Sequence, residues 1–252
     1  MSRKQKEYMK SEYAQNWSLM RRTIYNYNSY DKFLLTLIYK VSTIKKKNNL
    51  LEVCCGDGYP LANKLISKGV NYSGFDISKY LIDKAKKNFG KKYFKVGDAE
   101  NIKYGKNSFH TVICFHSLWY IPNYQKALRE MFRIIKPKGF LLFDTLNSSN
   151  NEIHNEYKKI IFESRNIGKA YRYLKNVVKI ITKKGYTKWD DVIHQKPNNV
   201  ELIIKKFEQN KMLKNLRLYG QKTPSSKLKL ISRNQFHNIN NYQKIIFQCQ
   251  KK

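Results

Sequence analysis

Short apolar runs and helical patterns alternate along the first half of the chain. Leu50-Leu51-Glu52-Val53 is an apolar run after a basic cluster, which is typical of a buried strand. The apolar residues of Leu61–Ile66 recur at helical spacing, and Pro60 suits the first position of that helix, where its missing N–H costs nothing. The loop between strand and helix carries Gly56 and Gly58. Such a unit lets the main chain approach a ligand closely at a helix N-terminus.

Acidic residues end the next two predicted strands. Asn71–Asp76 predicts a second strand, and its final carboxylate lies where ribose hydroxyls can be reached. Tyr93–Glu100 predicts another strand, which ends in Gly-Asp-Ala. A nicotinamide-dinucleotide fingerprint would need a third glycine where Leu61 stands, so the pattern disfavours that class.

These blocks, which run in order from Leu50 to about Asn147, resemble the class I S-adenosylmethionine (SAM)-dependent methyltransferases. The resemblance is to the small-molecule type with a methyltransferase-11-like core. It implies that Gly56 and Gly58 let the main chain pack against the methionyl part of SAM, and that Glu52 orders the loop. Cys54 stands where the family usually has Gly; because Cys is small, we expect a modest shift of the loop.

The resemblance also implies roles for the strand ends. Asp76 would bind the ribose diol, with Ile77 against the adenine. Asp98 would accept a hydrogen bond from the adenine amino group, and the Ala99 N–H would donate one to a ring nitrogen. The predicted cofactor site therefore comprises Glu52, Cys54, Gly56, Gly58, Asp76, Ile77, Asp98, Ala99 and Phe115.

The implied fold is α/β, a Rossmann-like doubly wound sheet whose last two strands form an antiparallel hairpin at one edge. We expect one methyltransferase domain over residues 1–252. Its predicted parts are N-terminal lid helices (1–43), a SAM-binding core (44–147), a helical substrate-side insert after the fifth strand (148–198) and the C-terminal part of the sheet (199–252).

Further elements follow from the same periodicities. Predicted helices are Ala127–Ile135, Asn155–Ser164, the basic amphipathic Arg165–Lys184 and Asn199–Asn210, with one or two more in Glu12–Thr43. Predicted strands are Phe109–Cys114, Phe140–Asp144, Leu213–Tyr219 and Tyr242–Gln250, with Lys188–Pro197 extended. The polar, basic stretch Gly220–Asn241 predicts a long loop or hairpin connection.

The predicted substrate side combines an aromatic residue of the lid with residues just past the fourth strand. Its members are Tyr30, His116, Trp119 and Tyr120. A nitrogen or oxygen nucleophile can need to lose a proton, which makes His116 and Tyr120 the catalytic candidates and His194 a weaker one. A His at a strand end is, however, more often a structural residue than a base. No metal site is predicted.

The formal net charge of +32 raises nucleic acid as a partner. Lys far outnumbers Arg, however, and Asn, Ile and Tyr are abundant, as in proteomes biased toward AT-rich codons. Lys is also the poorer residue for bidentate recognition of bases and phosphates. An RNA methyltransferase, for example of the cap-guanine type, is therefore the second hypothesis and predicts a continuous Lys/Arg track to the cofactor. A non-catalytic partner subunit, its loop blocked by Cys54 and Tyr59, is the third.

Absent motifs narrow the remaining choices. Past the fourth strand there is no Asn/Asp-Pro-Pro-Tyr, which argues against transfer to exocyclic amino groups of bases; the chain has no Pro-Cys dipeptide and no Cys triad for a radical cluster. Met1–Lys10 lacks a signal-peptide core and Phe33–Tyr39 is too short to span a bilayer, so we expect no membrane span. Four cysteines without metal or disulfide spacing favour the cytoplasm. The leading hypothesis is direct N- or O-methylation of a small molecule by SAM, with S-adenosylhomocysteine as product.

Overall fold

The computed structural model describes residues 6–7, 9–10, 29–41, 48–155, 197–210, 213–223 and 226–252. Most of the predicted insert, including its two helices and His194, lies outside the described residues, as does most of Glu12–Thr43. The lid and the insert therefore remain predictions. Residues 151–155 are helical, and Asn198 bridges in parallel to Asn147, so the chain returns beside the end of the fifth strand.

The described elements agree with the predicted alternation of strands and helices. The α-helices are α1 Ser29–Val41, α2 Leu61–Ser67, α3 Lys79–Phe89, α4 Tyr124–Ile134 and α5 Val200–Gln209. The strands are β1 Asn49–Val53, β2 Asn71–Asp76, β3 Phe94–Val96, β4 Phe109–Cys114, β5 Ile135–Leu146, β6 Leu213–Gln221, β7 Lys229–Ile231 and β8 Lys244–Lys251. Short 3₁₀ helices cover Lys91–Tyr93, Leu118–Tyr120 and Arg233–Asn241.

The strands form one sheet in the order β3-β2-β1-β4-β5-β8-β6-β7. Strands β1 to β5 pair in parallel, whereas β8, β6 and β7 pair antiparallel with their neighbours. This confirms the Rossmann-like fold class with antiparallel C-terminal strands.

One detail of the C-terminal prediction is wrong. β6 and β8 pair as expected, but β7 lies beyond β6, and the predicted loop Gly220–Asn241 also contains a 3₁₀ helix. The short strand gave no clear periodicity because it has three residues in a basic stretch. Its position depends on a distant contact, since the buried Ile231 pairs opposite the buried Leu218.

Alternation along the strands divides the core into two layers. Neighbouring strand residues such as Leu50 and Leu51, or Leu141 and Leu142, belong to different apolar clusters because successive side chains point to opposite faces. Helices α1, α2 and α3 cover one face, and α4 and α5 cover the other. The sheet is thus doubly wound, which leaves its strand ends free to build a site.

Side-chain caps fix where several helices begin. Ser78, Asn123 and Asn199 each accept a backbone N–H in the first turn of α3, α4 and α5. Among the described helices, none is long and apolar enough to cross a bilayer.

Candidate active site

A cleft of about 920 Å³, part of it open to solvent, lies at the carboxyl ends of the parallel strands. It falls where the strand order reverses between β1 and β4, the usual ligand position in open α/β sheets. The loops after β1, β2, β3 and β4 form its wall, together with two residues near the N-terminus, Lys6 and Met9.

The loop after β1 presents its backbone to this cleft. Gly56 has φ +56° and lines the cleft, and a Cβ built on it would meet nothing within 4 Å. A ligand can therefore approach the main chain closely at this residue. Gly58 has a different role, because a Cβ there would lie 2.8 Å from the ring of Phe89. Gly58 allows the loop to pack against α3 and is not one of the described residues that line the cleft.

Cys54, the residue that departs from the family pattern, also has a left-handed backbone, with φ +60°. This conformation is uncommon for residues with a Cβ and explains why glycine is usual at the position. Cys54 lines the cleft, as predicted for the cofactor side. Its pKa is well above the usual range, chiefly through a hydrogen bond with Cys114 and through burial, so the thiol is neutral.

Glu52 is buried at the end of β1 and lines the cleft. The Tyr72 hydroxyl donates to its Oε2 over 2.7 Å and so ties the end of β1 to β2. Burial, followed by the charge of Glu52, raises the pKa of Tyr72 well above its usual range. Tyr72 is therefore a fixed, neutral donor that holds Glu52 in place.

Asp76, at the end of β2, joins two loops through its carboxylate. Oδ2 accepts the Gly56 N–H at 3.0 Å, and Oδ1 accepts the Ser78 N–H at 2.9 Å. Burial raises the pKa of Asp76, and these two backbone donors partly offset that effect. Asp76 and its neighbour Ile77 both line the cleft, where the sequence places the ribose and adenine contacts.

The loop after β3 contributes Asp98, Ala99 and Glu100 to the wall. The Lys6 ammonium lies 2.7 Å from Asp98 Oδ2 and 3.0 Å from Glu100 Oε2. Burial alone would lower the pKa of Lys6, but these two carboxylates outweigh it and raise the pKa. A residue near the N-terminus thus pairs with the carboxylate to which the family resemblance assigns the adenine amino group.

The charge of the cleft is opposite to that of the chain. Four carboxylates line it, from Glu52, Asp76, Asp98 and Glu100, whereas Lys6 is the single Lys or Arg among the described lining residues. The chain as a whole carries a formal charge of +32. The strand-end loops thus give the described lining of the cleft a negative charge, and this charge attracts a cationic ligand.

The loop after β4 supplies the other wall. Phe115, His116 and Tyr120 line the cleft. His116 has φ +58°, and its backbone N–H donates to Asp144 Oδ1 over 2.7 Å. Its ring Nε2 lies 3.3 Å from Oδ1 of Asp31, and both aspartates are fully buried. His116 is thus held at the cleft wall by α1 on one side and β5 on the other.

Two predicted substrate-side residues lie behind that wall. Tyr30 donates its hydroxyl to Asp144 Oδ2 over 2.6 Å, and its ring centroid is 5.3 Å from that of His116. Trp119 is buried next to Tyr120, and neither Tyr30 nor Trp119 is among the described residues that line the cleft. Their substrate roles remain predictions.

Sequence reasoning missed several charged residues at and behind the cleft wall. Lys6, and Lys244 whose ammonium lies 3.7 Å from Asp144 Oδ2, carry no local signal in a chain with 50 Lys and Arg residues. Asp31 stands in the first turn of α1, where an acidic residue ordinarily indicates only a favourable helix start. Asp144 ends the predicted fifth strand, but nothing in the sequence showed that it would accept from both His116 and Tyr30.

This fold, with an acidic cleft at its switch point, matches a known domain family. The family model described as methyltransferase domain matches residues 24–200, which is more than half of the chain. The chain therefore belongs to the SAM-dependent methyltransferase family.

Two curated relatives each match about half of the chain. One is a demethylmenaquinone methyltransferase of Staphylococcus haemolyticus, 27% identical over 50% of this chain and 55% of the relative. The other is a ubiquinone biosynthesis O-methyltransferase of Coxiella burnetii, 28% identical over 54% of this chain and 59% of the relative. The chain thus spans little more than half the length of these relatives.

A solved structure extends the likeness in fold. It is a SAM-dependent methyltransferase of Thermotoga maritima, described as a possible histamine N-methyltransferase. The TM-score is 0.54 at 14% identity, over 94% of this chain and all of that one. At this identity the match shows a shared fold.

Proposed function

We propose that the protein binds SAM in the acidic cleft and transfers its methyl group to an oxygen or nitrogen of a small molecule. The observation that carries this proposal is the negative charge of the cleft within a strongly basic chain. SAM carries a sulfonium cation, so four strand-end carboxylates favour its entry. The same charge repels a polyanion, which favours a small acceptor over RNA.

The residues of the cleft fit the cofactor. Gly56 leaves open space where a side chain would otherwise project, and this suits the methionyl part of SAM. Asp76 keeps lone pairs beyond the two backbone donors it accepts and would hold the ribose diol. Asp98 would accept from the adenine amino group once Lys6 has moved from its Oδ2.

Bound SAM supplies a methyl group that its sulfonium already activates, so the protein's main tasks are to orient the acceptor and exclude water. His116 and Tyr120 line the cleft and are the candidates to take a proton from an acceptor. Both ring nitrogens of His116 lie near buried aspartates, Nε2 at 3.3 Å from Asp31 Oδ1 and Nδ1 at 3.9 Å from Asp144 Oδ2, so a role as base would require the ring to turn toward the cleft. Asp144 fixes the backbone of His116 through its N–H and so sets where the ring stands.

The names of the relatives suggest the kind of acceptor. One is named for demethylmenaquinone and the other for O-methylation in ubiquinone biosynthesis. We propose by analogy a quinone-type or phenolic ring as the acceptor of this protein, with oxygen as the methylated atom. Aromatic side chains around the cleft wall, among them Phe115 and Tyr120, suit such a ring.

The test is transfer of labelled methyl from SAM in a host cell extract that is then separated into small metabolites, RNA and protein. We expect label in the metabolite fraction with the wild-type protein. The matched control is Gly56→Val, which fills the open space and strains the loop backbone at φ +56°. It should abolish transfer, and circular dichroism checks that the helices and the sheet are retained.

The other outcomes are equally informative. Label in the RNA fraction would replace the small-molecule proposal with the RNA alternative. If Gly56→Val still binds SAM in calorimetry, the cofactor site is misassigned. If the wild-type protein does not bind SAM at all, the methyltransferase proposal fails.

A further inference from the structure

A second large cavity lies at the opposite end of the sheet from the active-site cleft. Its lining includes Lys106 and Asn107 ahead of β4, Pro137 near the start of β5, and Lys251 at the end of β8, which runs antiparallel to β5. Its volume is about 1490 Å³, part of it open to solvent. No described residue lines both this cavity and the cleft, so the two are separate places in the molecule.

The floor of this cavity is an apolar groove between α4 and α5, the α4–α5 groove. Phe132 of α4, Phe207 of α5 and Leu213 of β6 line it, and all three pack against the buried cluster that includes Leu128 and Ile203. The first three side chains are only partly buried, so they leave apolar surface along the groove. Concave apolar surface of this extent is typical of a site that binds an apolar group.

The rim of the α4–α5 groove carries charge of one sign. Lys106, Arg129 and Lys206 are exposed and line it, and no Asp or Glu is among the described lining residues. Arg133 also lines the groove, but its guanidinium already pairs with Glu130. The rim is thus opposite in charge to the active-site cleft, and it attracts an anion.

Lys251 adds a buried cation to the same place. It lines the groove and is 7% exposed, and its ammonium donates to the Ile135 and Phe132 carbonyls and to Asn107 Oδ1. All three acceptors are neutral oxygens. Burial, followed by the charge of Lys106, lowers the pKa of Lys251, and no described carboxylate offsets these two causes. A buried charge is stabilised by a nearby charge of opposite sign, which an anion bound in the groove would supply.

We propose that the α4–α5 groove binds a single-chain lipid anion, a molecule with one acidic head and a long apolar tail. The tail lies on the floor between the two helices, and the head lies at the cationic rim. A neutral lipid would leave the cations without a counter-charge. A nucleic acid would leave the apolar floor uncovered, because its outer surface is polar and charged. The concave shape also disfavours insertion into a bilayer, which needs apolar side chains that project from the surface. This site goes beyond the proposed methyl transfer and does not depend on it.

Calorimetry on the full chain tests the proposal, with decanoate as the probe. 1-Decanol has the same tail without the charge, and acetate has the same head without the tail. We expect one decanoate to bind per chain, at least about tenfold more tightly than 1-decanol, with no measurable binding of acetate. Added salt should weaken decanoate binding because it screens the exposed cations. S-adenosylhomocysteine should not displace decanoate, since no described residue lines both cavities.

Two neighbouring lysines of α5 provide a matched pair of variants. Lys206→Gln removes a cation from the rim, together with an exposed hydrogen bond to Gln125, and should weaken decanoate binding about twofold. Adding Arg129→Gln should bring the loss to at least about fivefold. Lys205→Gln removes the same charge from an exposed residue that is not among the described lining residues, and it should bind decanoate like the wild type. All three side chains are exposed, so the unfolding temperatures should stay close to that of the wild type.

Several results would overturn the lipid-anion site. If decanoate does not bind, or 1-decanol binds as tightly, the charged rim recognises no lipid head. If Lys205→Gln weakens binding as much as Lys206→Gln, decanoate responds only to the overall charge of the chain. Displacement by S-adenosylhomocysteine would place decanoate in the active-site cleft, and displacement by an oligouridylate would assign the rim to nucleic acid. SAM affinity measured on the same samples tests the proposed function separately.

Discussion

The parallel and the antiparallel parts of the sheet differ in the side chains and backbone conformations that they bring together. In the antiparallel part, Phe143 and Phe247 stack at 4.6 Å with their planes 6° apart, and Phe207 packs against both. In the parallel part, buried carboxylates such as Asp76 stand beside residues with left-handed backbones such as Cys54. Both regions bury apolar side chains, but the aromatic stack lies in the antiparallel part, and charge and unusual conformations concentrate at the strand ends of the parallel part. The comparison predicts that changes in the stack act on stability and that changes at the strand ends act on the cleft.

The largest expected effect lies in the antiparallel part. Phe247→Ala removes a fully buried ring from the aromatic stack and should lower the free energy of unfolding by about 3–5 kcal/mol. Urea unfolding measures this change, and SAM affinity of the folded fraction should be unchanged. Leu230→Ala, at a side chain 59% exposed on β7, is the matched control and should have little effect. A small loss for Phe247→Ala would contradict the comparison.

The next effect lies in the cleft. Asp76→Asn should weaken SAM binding by about 1.5–3 kcal/mol, roughly ten- to a hundredfold, because a charged acceptor of the ribose is lost. Calorimetry measures the affinity, and circular dichroism checks that the fold is intact. Unchanged affinity would disprove the ribose assignment.

The same carboxylate predicts a pH dependence. Burial raises the pKa of Asp76, so it is protonated at a higher pH than an exposed aspartate, and SAM binding should weaken as pH falls through that raised pKa. Because the folded pKa lies above the unfolded one, this protonation favours the folded state. Protonation of this group should therefore weaken SAM binding without destabilising the fold. In Asp76→Asn the residual affinity should be flat over the same range, and a parallel decline there would assign the effect elsewhere.

A smaller effect, of opposite sign, is expected at Lys6. Lys6→Ala frees Asp98 Oδ2 for the adenine amino group and should tighten SAM binding several-fold, about 1 kcal/mol or less for a partly exposed ion pair. The control is Lys10→Ala, whose ammonium pairs with the exposed Glu7, and which should bind SAM like the wild type. Weaker binding by Lys6→Ala would mean that the ammonium stays in place when the cofactor is bound.

The smallest effect is expected where the chain departs from its family. Cys54→Gly relieves a left-handed backbone at φ +60° but loses the Cys114 contact and adds freedom to the unfolded chain. These terms oppose each other, so stability should change by less than about 1 kcal/mol. Chemical denaturation measures it. A large loss would show that the pair of thiols holds the loop.

Sequence patterns predicted most strands and helices of the parallel part, because the periodicity that indicates each element lies within that element. β2 and β4 have the bounds expected from Asn71–Asp76 and Phe109–Cys114, and α2 begins at Leu61, one residue after the predicted first position Pro60, which is the N-cap. β5 is longer than Phe140–Asp144, since its early residue Ile135 pairs with Phe109 across a bulge. That pairing depends on another strand, so periodicity within the segment could not show it.

The sequence predicted many residues that line the cleft, including His116 and Tyr120, but not the contacts that hold them in place. Glycines and acidic residues at predicted strand ends can be recognised from the local sequence, and Gly56, Asp76 and Asp98 all line the cleft. The packing of Gly58 against Phe89 is a tertiary contact, so the local sequence could not show it. Asp31, His116 and Lys244 come together from three distant segments, and no spacing in the sequence connects them.

Asp144 has a consequence for how the molecule opens. Its carboxylate receives the His116 N–H and the Tyr30 hydroxyl and lies near the Lys244 ammonium, so it links the loop after β4, α1 and β8. Pulling α1 away would leave a fully buried charge with fewer donors, which is unfavourable. These segments should therefore open together in hydrogen exchange. The His116 amide would report the docking of α1, a helix to which it does not belong.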